Sequence, residues 1–258
     1  MESTQSADGT MIAFDREGNG PPLVVVVGAF CDRSTSRSLA AILAPDFTVI
    51  RYDRRGRGSS GDTSPYSVER EIEDLEAVVT AAGGSALVYG HSSGAVLVLE
   101  AAARGLPVTK MALYEPPYII EGSRSRPNQL TERVGELIVA GQRSDAAELF
   151  LVEGPGLPAD VLTTMKAAPV WAHFEALAHT LPYDLAICAD QVVPTNRLAT
   201  IAVPTLALSG GGSPQWARDA VDAVARAIPG SEHRVLEGQT HGVADDALAP
   251  VIASFFLA

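Results

Sequence analysis

The chain is poor in the residues that build disulfide frameworks and metal sites. It has two cysteines, Cys31 and Cys188, and five histidines, none of them in a closely spaced metal-binding pattern. A disulfide scaffold needs more cysteines than this, and a zinc site needs more closely grouped ligands. We therefore expect no metal and no cofactor, and a reduced cytoplasmic protein fits this cysteine content.

Basic residues are also scarce. Lysine and arginine together number 19 against 31 acidic residues, which gives a net charge of −12. A strong basic patch for nucleic acid or anionic lipid is therefore not expected. Apolar runs such as residues 23–27 are far too short to span a bilayer, and the polar first residues do not resemble a signal peptide. We expect a small molecule as the partner, not nucleic acid or a membrane.

Hydrophobic residues make up 47% of the 258 residues, enough for one large globular domain. Apolar runs rich in β-branched residues alternate with segments of helical periodicity such as 67–82, where Ser67 is a candidate N-cap. Such alternation predicts an α/β fold with a mostly parallel central sheet flanked by helices. The predicted strands cover residues 11–14, 23–27, 47–52, 85–89, 111–114, 205–208 and 233–236.

One interval interrupts this alternation. Between residues 119 and 195 the chain has amphipathic helical patterns, such as 129–140 and 145–151, and no convincing core strand. Prolines lie at both of its ends. We predict a helical cap at 119–195, inserted into a core formed by residues 1–118 and 196–258.

The most informative motif is Gly-His-Ser-Ser-Gly at residues 90–94, directly after a predicted strand and before a predicted helix. A serine in this Gly-x-Ser-x-Gly context lies in a sharp strand-to-helix turn that exposes its hydroxyl above the sheet. The flanking glycines leave that turn uncrowded. Ser92 is therefore the candidate nucleophile.

With this motif the chain resembles the α/β-hydrolase family, and the similarity covers nearly all of it. The matching segments are 24–29 (VVVVGA), 52–59 (YDRRGRGS), 90–94 (GHSSG), 203–210 (VPTLALSG) and 238–243 (GQTHGV). The resemblance implies a base near the C-terminus, a carboxylate between nucleophile and base, and a backbone donor after the first core strand. It also marks 52–59 as a turn whose arginines are structural ion-pair partners, not a phosphate loop.

A serine hydroxyl needs an adjacent base to become a good nucleophile. The resemblance points to His241, in the loop after the last predicted strand, as that base. Four other histidines fit less well, since one is next to the nucleophile, two are in the cap and one begins a strand: His91, His173, His179 and His233.

The carboxylate departs from the commonest family pattern, because Ser213 occupies the position where an aspartate is usual. Glu115 follows the predicted strand 111–114, and acids in this position are found in a lactonase-like subset of the family. We take Glu115 as the acid that orients the base. The alternatives are a Ser–His dyad without an acid, or Asp184 or Asp190 reaching in from the cap.

Hydrolysis also requires donors for a developing oxyanion. The backbone N–H groups of Ala29 and Ser93 are the candidates. Aromatic side chains suggest an apolar pocket, although each aromatic alone is more often a packing residue. The predicted pocket residues are Phe30, His91, Tyr118, Trp171 and Phe174.

Together these residues predict a serine hydrolase that cleaves a small apolar carboxylic ester or lactone through an acyl-enzyme. A serine nucleophile disfavours dehalogenase chemistry, which needs a carboxylate. Two alternatives stay open: a non-hydrolytic enzyme of the same fold (a perhydrolase, lyase or cyclase) and a small-ligand receptor. The oligomeric state is also open, with a homodimer among the options.

Overall fold

The computed structural model describes residues 1–120, 129–189 and 192–258. Its strands form one sheet of eight. They are β1 (Glu2–Gln5), β2 (Met11–Glu17), β3 (Pro22–Val26), β4 (Thr48–Tyr52), β5 (Ala86–His91), β6 (Val108–Tyr114), β7 (Thr205–Gly210) and β8 (Glu232–Leu236).

The strand order across the sheet is β1-β2-β4-β3-β5-β6-β7-β8. The six strands from β4 to β8 in this order are parallel, and β1 and β2 add an antiparallel edge. Central strand β3 pairs on both sides, with Val24 opposite Ile50 of β4 and Val88 of β5. The α/β prediction with a mostly parallel sheet is confirmed.

Helices lie on both faces of the sheet and within the interval between β6 and β7. They are α1 (Arg37–Leu43), α2 (Val68–Ala81), α3 (Ser93–Ala103), α4 (Leu130–Val139), α5 (Arg143–Glu153), α6 (Ala159–Ala167), α7 (Val170–Leu177), α8 (Leu181–Ile187), α9 (Thr195–Leu198), α10 (Gln215–Ala227) and α11 (Asp245–Leu257). No helix in the described part of the chain is long and apolar enough to cross a membrane.

The alternation of side chains along each strand divides the core into two layers. In β3, Val24 and Val26 pack with residues of α2, α3 and α10 on one face. Leu23 and Val25 pack with residues of α1 and α11 on the other. Because both faces are covered, the strands read as unbroken apolar runs in the sequence.

Helices α4 to α8 surround a third hydrophobic cluster, which extends down to Phe30 in the loop after β3. Ile187 at the end of α8 belongs instead to the core layer beneath. Helices α4 to α8, called the cap below, therefore pack on the rest of the chain through α8 and the loop after β3. The observed α4 and α5 correspond to the amphipathic patterns at 129–140 and 145–151.

The N-cap predicted for helix α2 is present. The Ser67 hydroxyl accepts a hydrogen bond from the backbone N–H of Arg70 at 3.3 Å, and α2 begins at the next residue, Val68. Serine is favoured here because its oxygen satisfies an N–H that has no partner within the helix. Predicted strand ends differ from the observed ones by only a few residues, as expected for frayed termini.

We predict that Gly94→Ala destabilises the protein by about 2 kcal/mol or more. A Cβ at Gly94 would lie 2.3 Å from the carbonyl oxygen of Val26, so α3 would have to move away from β3. Urea denaturation measures the effect. The control is Gly135→Ala in α4, where a Cβ would meet nothing within 4 Å; it should stabilise the protein by about 0.5–1 kcal/mol. Equal midpoints for the Gly94 variant and wild type would contradict the prediction.

Candidate active site

Ser92 lies between β5 and α3 in a strained backbone conformation, with φ 56° and ψ −125°. Its backbone N–H donates to the carbonyl of Tyr114 on β6 at 2.9 Å, which ties the turn to the neighbouring strand. A Cβ at Gly90 would lie 2.7 Å from the Cα of Ala95. Only a glycine allows strand and helix to approach this closely, and the turn presents Ser92 at the carboxyl edge of the sheet.

Glu115 directly follows β6 and also has a positive φ of 44°. Its backbone N–H donates to the carbonyl of Leu208 on β7 at 3.0 Å. Its side chain is 2% exposed, with Oε1 accepting from the N–H of Gly210 at 2.8 Å and Oε2 lying 2.7 Å from Nδ1 of His241. A carboxylate oxygen accepts hydrogen bonds, so Nδ1 of His241 carries the proton.

Hydrogen bonds keep the Glu115 carboxylate ionised. Burial by itself would raise the pKa of this carboxyl group, but hydrogen bonds from His241 and the Gly210 N–H, together with the nearby Ser213 hydroxyl, outweigh it and lower the pKa below its usual value. Glu115 is therefore an anion held against an imidazole. Gly210 and Ser213 were not among the predicted site residues, although the glycine-rich run at 210–213 is typical of a tight turn.

His241 lies in the loop after β8, and its side chain is 51% exposed. The Tyr114 hydroxyl donates to the preceding carbonyl, that of Thr240, at 2.6 Å. The bond to Glu115 uses Nδ1, which leaves Nε2 of His241 for a reacting group. Within the described residues Ser92 Oγ makes no hydrogen bond to His241, a bond that is often loose before substrate binds.

The structure places Glu115 against His241 and Ser92 at the neighbouring strand end, bonded to Tyr114, and it leaves three other histidines elsewhere. His173 Nε2 donates to the carbonyl of Phe30 at 3.0 Å, and His179 Nε2 donates to that of Gly56 at 2.8 Å. His233 lies within β8, 3.4 Å from Ser209 Oγ.

One of the two alternative acids, Asp184, does not reach the base. The carboxylate of Asp184 is fully occupied by Arg54, Arg57 and the Ser93 hydroxyl, and it has no contact with His241 among the described residues. The second alternative, Asp190, lies outside the described residues. Glu115 is the carboxylate that contacts the imidazole.

Both candidate oxyanion donors lie beside Ser92. Ser93 is the first residue of α3, where the helix dipole favours negative charge. A Cβ built at Gly28 would lie 2.9 Å from Cβ of Ser92, so the loop that carries Ala29 runs directly against the serine. The Ala29 N–H has no acceptor in the part of the chain that the structure describes. Two backbone donors are thus available to one bound oxygen.

Two of the predicted pocket aromatics cover this loop. Phe30 stacks on Phe174 with ring centroids 4.5 Å apart and meets the edge of Phe150 at 5.5 Å. The other two require a correction. Trp171 is buried in the cap cluster, where its indole N–H donates to Ser144 at 2.9 Å. Tyr118 is buried in the core layer beneath the sheet. Both are buried among apolar neighbours and serve packing, as is common for single aromatic residues.

A serine in a strained turn between a strand and a helix, next to a buried carboxylate–imidazole pair on a mostly parallel sheet, is typical of the α/β-hydrolase class. The model of the Alpha/beta hydrolase family matches residues 23–253. The chain belongs to that family.

Relatives and solved structures agree with this assignment. An alpha/beta hydrolase from Sphaerobacter thermophilus is 52% identical, with a TM-score of 0.96 over 99% of this chain and 100% of that one. Lipase LipV of Mycobacterium tuberculosis is 26% identical over 232 residues, 85% of each chain. The enol-lactonase from Burkholderia xenovorans has a TM-score of 0.77 at 21% identity over the whole of both chains, a likeness of fold.

His91, the last of the predicted pocket residues, packs against the imidazole of the Glu115–His241 pair. Its ring stacks on Tyr114 and meets His241 edge-on, with both centroid distances 5.1 Å. The Tyr89 hydroxyl lies 3.1 Å from Nδ1 of His91. Burial, together with the nearby His241, lowers the pKa of His91 to about 3. The ring is therefore neutral at neutral pH, a packing partner for His241 that does not compete for protons.

This neutral ring should make stability fall with acid. Between about pH 6.5 and pH 3 the unfolded chain binds a proton at His91 that the folded protein does not, so unfolding becomes easier as the pH falls. We predict that the unfolding free energy of the wild type falls more steeply than that of His91→Gln, by up to about 1.4 kcal/mol per pH unit. Urea titrations at several pH values measure this, and parallel pH curves would contradict it.

Proposed function

We propose that the protein is a serine hydrolase that cleaves a carboxylic ester or lactone through an acyl-enzyme. The observation that carries the proposal is the 2.7 Å contact between the buried Glu115 carboxylate and Nδ1 of His241, next to the Ser92 elbow. A carboxylate in this position fixes the tautomer of the imidazole and stabilises its protonated form. This is the arrangement that serine hydrolysis needs.

In the first half-reaction Nε2 of His241 takes the proton of Ser92 as Oγ attacks the carbonyl carbon. The N–H groups of Ala29 and Ser93 stabilise the negative oxygen of the tetrahedral intermediate. The carbon–oxygen bond to the leaving group then breaks, and His241 returns the proton to that oxygen. Water attacks the acyl-enzyme in the same way and restores Ser92. With a lactone, the leaving hydroxyl stays attached to the acyl chain and the product is a hydroxy acid.

The surroundings favour a neutral, apolar acyl group. The loop carrying Ala29 is covered by Phe30 and Phe174. A net charge of −12 gives no long-range attraction for an anionic substrate. The names of the relatives, a lipase and an enol-lactonase, agree with ester or lactone chemistry.

Labelling with a fluorophosphonate, followed by peptide mass mapping, tests the nucleophile. We expect stoichiometric modification of Ser92 in the folded protein and none in Ser92→Ala or in heat-unfolded wild type, because only the assembled site activates the hydroxyl. Turnover of p-nitrophenyl acetate and of an aliphatic lactone then separates esterase from lactonase. A folded wild type that is not labelled would refute the proposal.

We predict that Glu115→Gln lowers kcat by about 10²- to 10⁴-fold, because an uncharged amide cannot stabilise the protonated imidazole. The matched control is Glu100→Gln, which neutralises another buried carboxylate, in α3, paired with Arg104 and Arg197. That variant should keep kcat within about threefold of wild type, since Glu100 pairs with Arg104 and Arg197 and contacts none of the three candidate catalytic residues in the described part of the chain. A near-wild-type kcat for Glu115→Gln would assign the acid role elsewhere.

A further inference from the structure

A group of buried ionic side chains connects the cap to the loop beside Ser92. Arg54 and Arg57 of the turn after β4 and Asp184 of α8 are each at most 2% exposed. Arg57 Nη2 lies 2.9 and 2.8 Å from the two Asp184 oxygens, and Arg54 Nη1 lies 2.8 Å from Oδ1. Arg54 also donates to Glu71 of α2. Asp184 is thus held by two guanidinium groups at the base of the cap.

The same arginines donate hydrogen bonds to carbonyl groups of residues 27–31, the loop after β3 that carries the candidate donor Ala29. Arg57 Nη1 donates to the carbonyl oxygens of Gly28 at 2.5 Å and Cys31 at 3.1 Å, and Arg54 Nη1 donates to that of Val27 at 3.2 Å. In a planar trans peptide the C=O and the next N–H point in opposite directions. Fixing the Gly28 carbonyl toward Arg57 therefore fixes the Ala29 N–H away from Arg57.

Asp184 also contacts Ser93, the residue whose backbone N–H is the second candidate donor. The Ser93 hydroxyl donates to Asp184 Oδ1 at 2.7 Å, and the backbone N–H of this serine is the donor at the start of α3. One carboxylate is therefore bonded directly to the residue that carries one donor and, through Arg57, to the peptide that carries the other. Ser92 lies next to both.

A purely structural role for Asp184 would not need its connections to the two segments that carry the candidate donors. Arg55, in the same turn, makes an equally buried pair with Asp74 of α2 at 2.7 Å, and this pair contacts neither the loop at 27–31 nor the start of α3. Burying an ion pair adds little net stability over apolar packing, because desolvation offsets the attraction. The Asp184 group differs from the Arg55–Asp74 pair in its hydrogen-bond partners, which belong to the loop at 27–31 and to the start of α3.

We propose that Asp184 is a positioning residue that sets the two oxyanion donors, Ala29 N–H and Ser93 N–H, in register with Ser92. This inference rests on the proposed hydrolase function. It makes assembly of the oxyanion site depend on the docking of α8. His173 adds a second cap contact to the same loop through its bond to the Phe30 carbonyl.

The test compares Asp184→Asn with the matched variant Asp74→Asn, which breaks the neighbouring buried pair. Both should lower the thermal midpoint, since each removes a buried negative charge that is paired with a buried arginine. Only Asp184→Asn should lower kcat for p-nitrophenyl acetate, by about 10- to 100-fold, and weaken inhibition by phenylboronic acid by a similar factor, with KM within about threefold of wild type. The boronate forms a tetrahedral adduct with Ser92 and so reports on the oxyanion donors.

Ser93→Ala keeps the backbone donor, removes the hydroxyl that bonds to Asp184 and accepts from Arg54, and covers the case in which Asp184→Asn does not fold. It should raise the boronate inhibition constant at least about threefold at an unchanged thermal midpoint. Equal kcat and boronate affinity in Asp184→Asn and Asp74→Asn, or wild-type boronate affinity in Ser93→Ala, would overturn the positioning role. A wild type that neither hydrolyses the ester nor reacts with fluorophosphonate would instead refute the hydrolase proposal.

Discussion

The hydrogen bond between Glu115 and His241 is the constraint on which the arrangement at the carboxyl edge of the sheet depends. The carboxylate is buried, and its hydrogen bonds to His241 and the Gly210 N–H, with the nearby Ser213 hydroxyl, keep its pKa low. Those partners come from β7, the turn after it and the loop after β8. The anion can exist only if these segments meet, so the geometry of the base is set by the packing of neighbouring strands.

Close backbone approach is the second constraint, and it explains where glycine is needed. Gly28, Gly90 and Gly94 each lack room for a Cβ, the nearest atoms being those of Ser92, Ala95 and Val26. The positive φ of Ser92 persists because this packing over-determines it. The exposed hydroxyl thus results from a strained turn that the surrounding core stabilises.

The parts predicted from sequence are those with local signals. A strand, a glycine-flanked serine and a helix predicted the elbow at Ser92, and the family resemblance predicted that Glu115 and His241 would meet. The contact between Arg54 and Asp184 joins residues 130 positions apart, and no local pattern indicates such a pairing. The roles of Trp171 and Tyr118 were also beyond reach, because a buried aromatic and a pocket aromatic have the same sequence pattern.

The residue at position 213, after β7, affects the charge of Glu115 at the end of β6. An aspartate at this position, where the commoner family pattern has it, would lie beside Glu115, since the Ser213 hydroxyl already interacts with that carboxylate. Two carboxylates this close cannot both be ionised easily, and one pKa would rise strongly. A serine there removes the repulsion and supplies a hydroxyl to the remaining anion. A serine after β7 is therefore compatible with an ionised carboxylate at the end of β6.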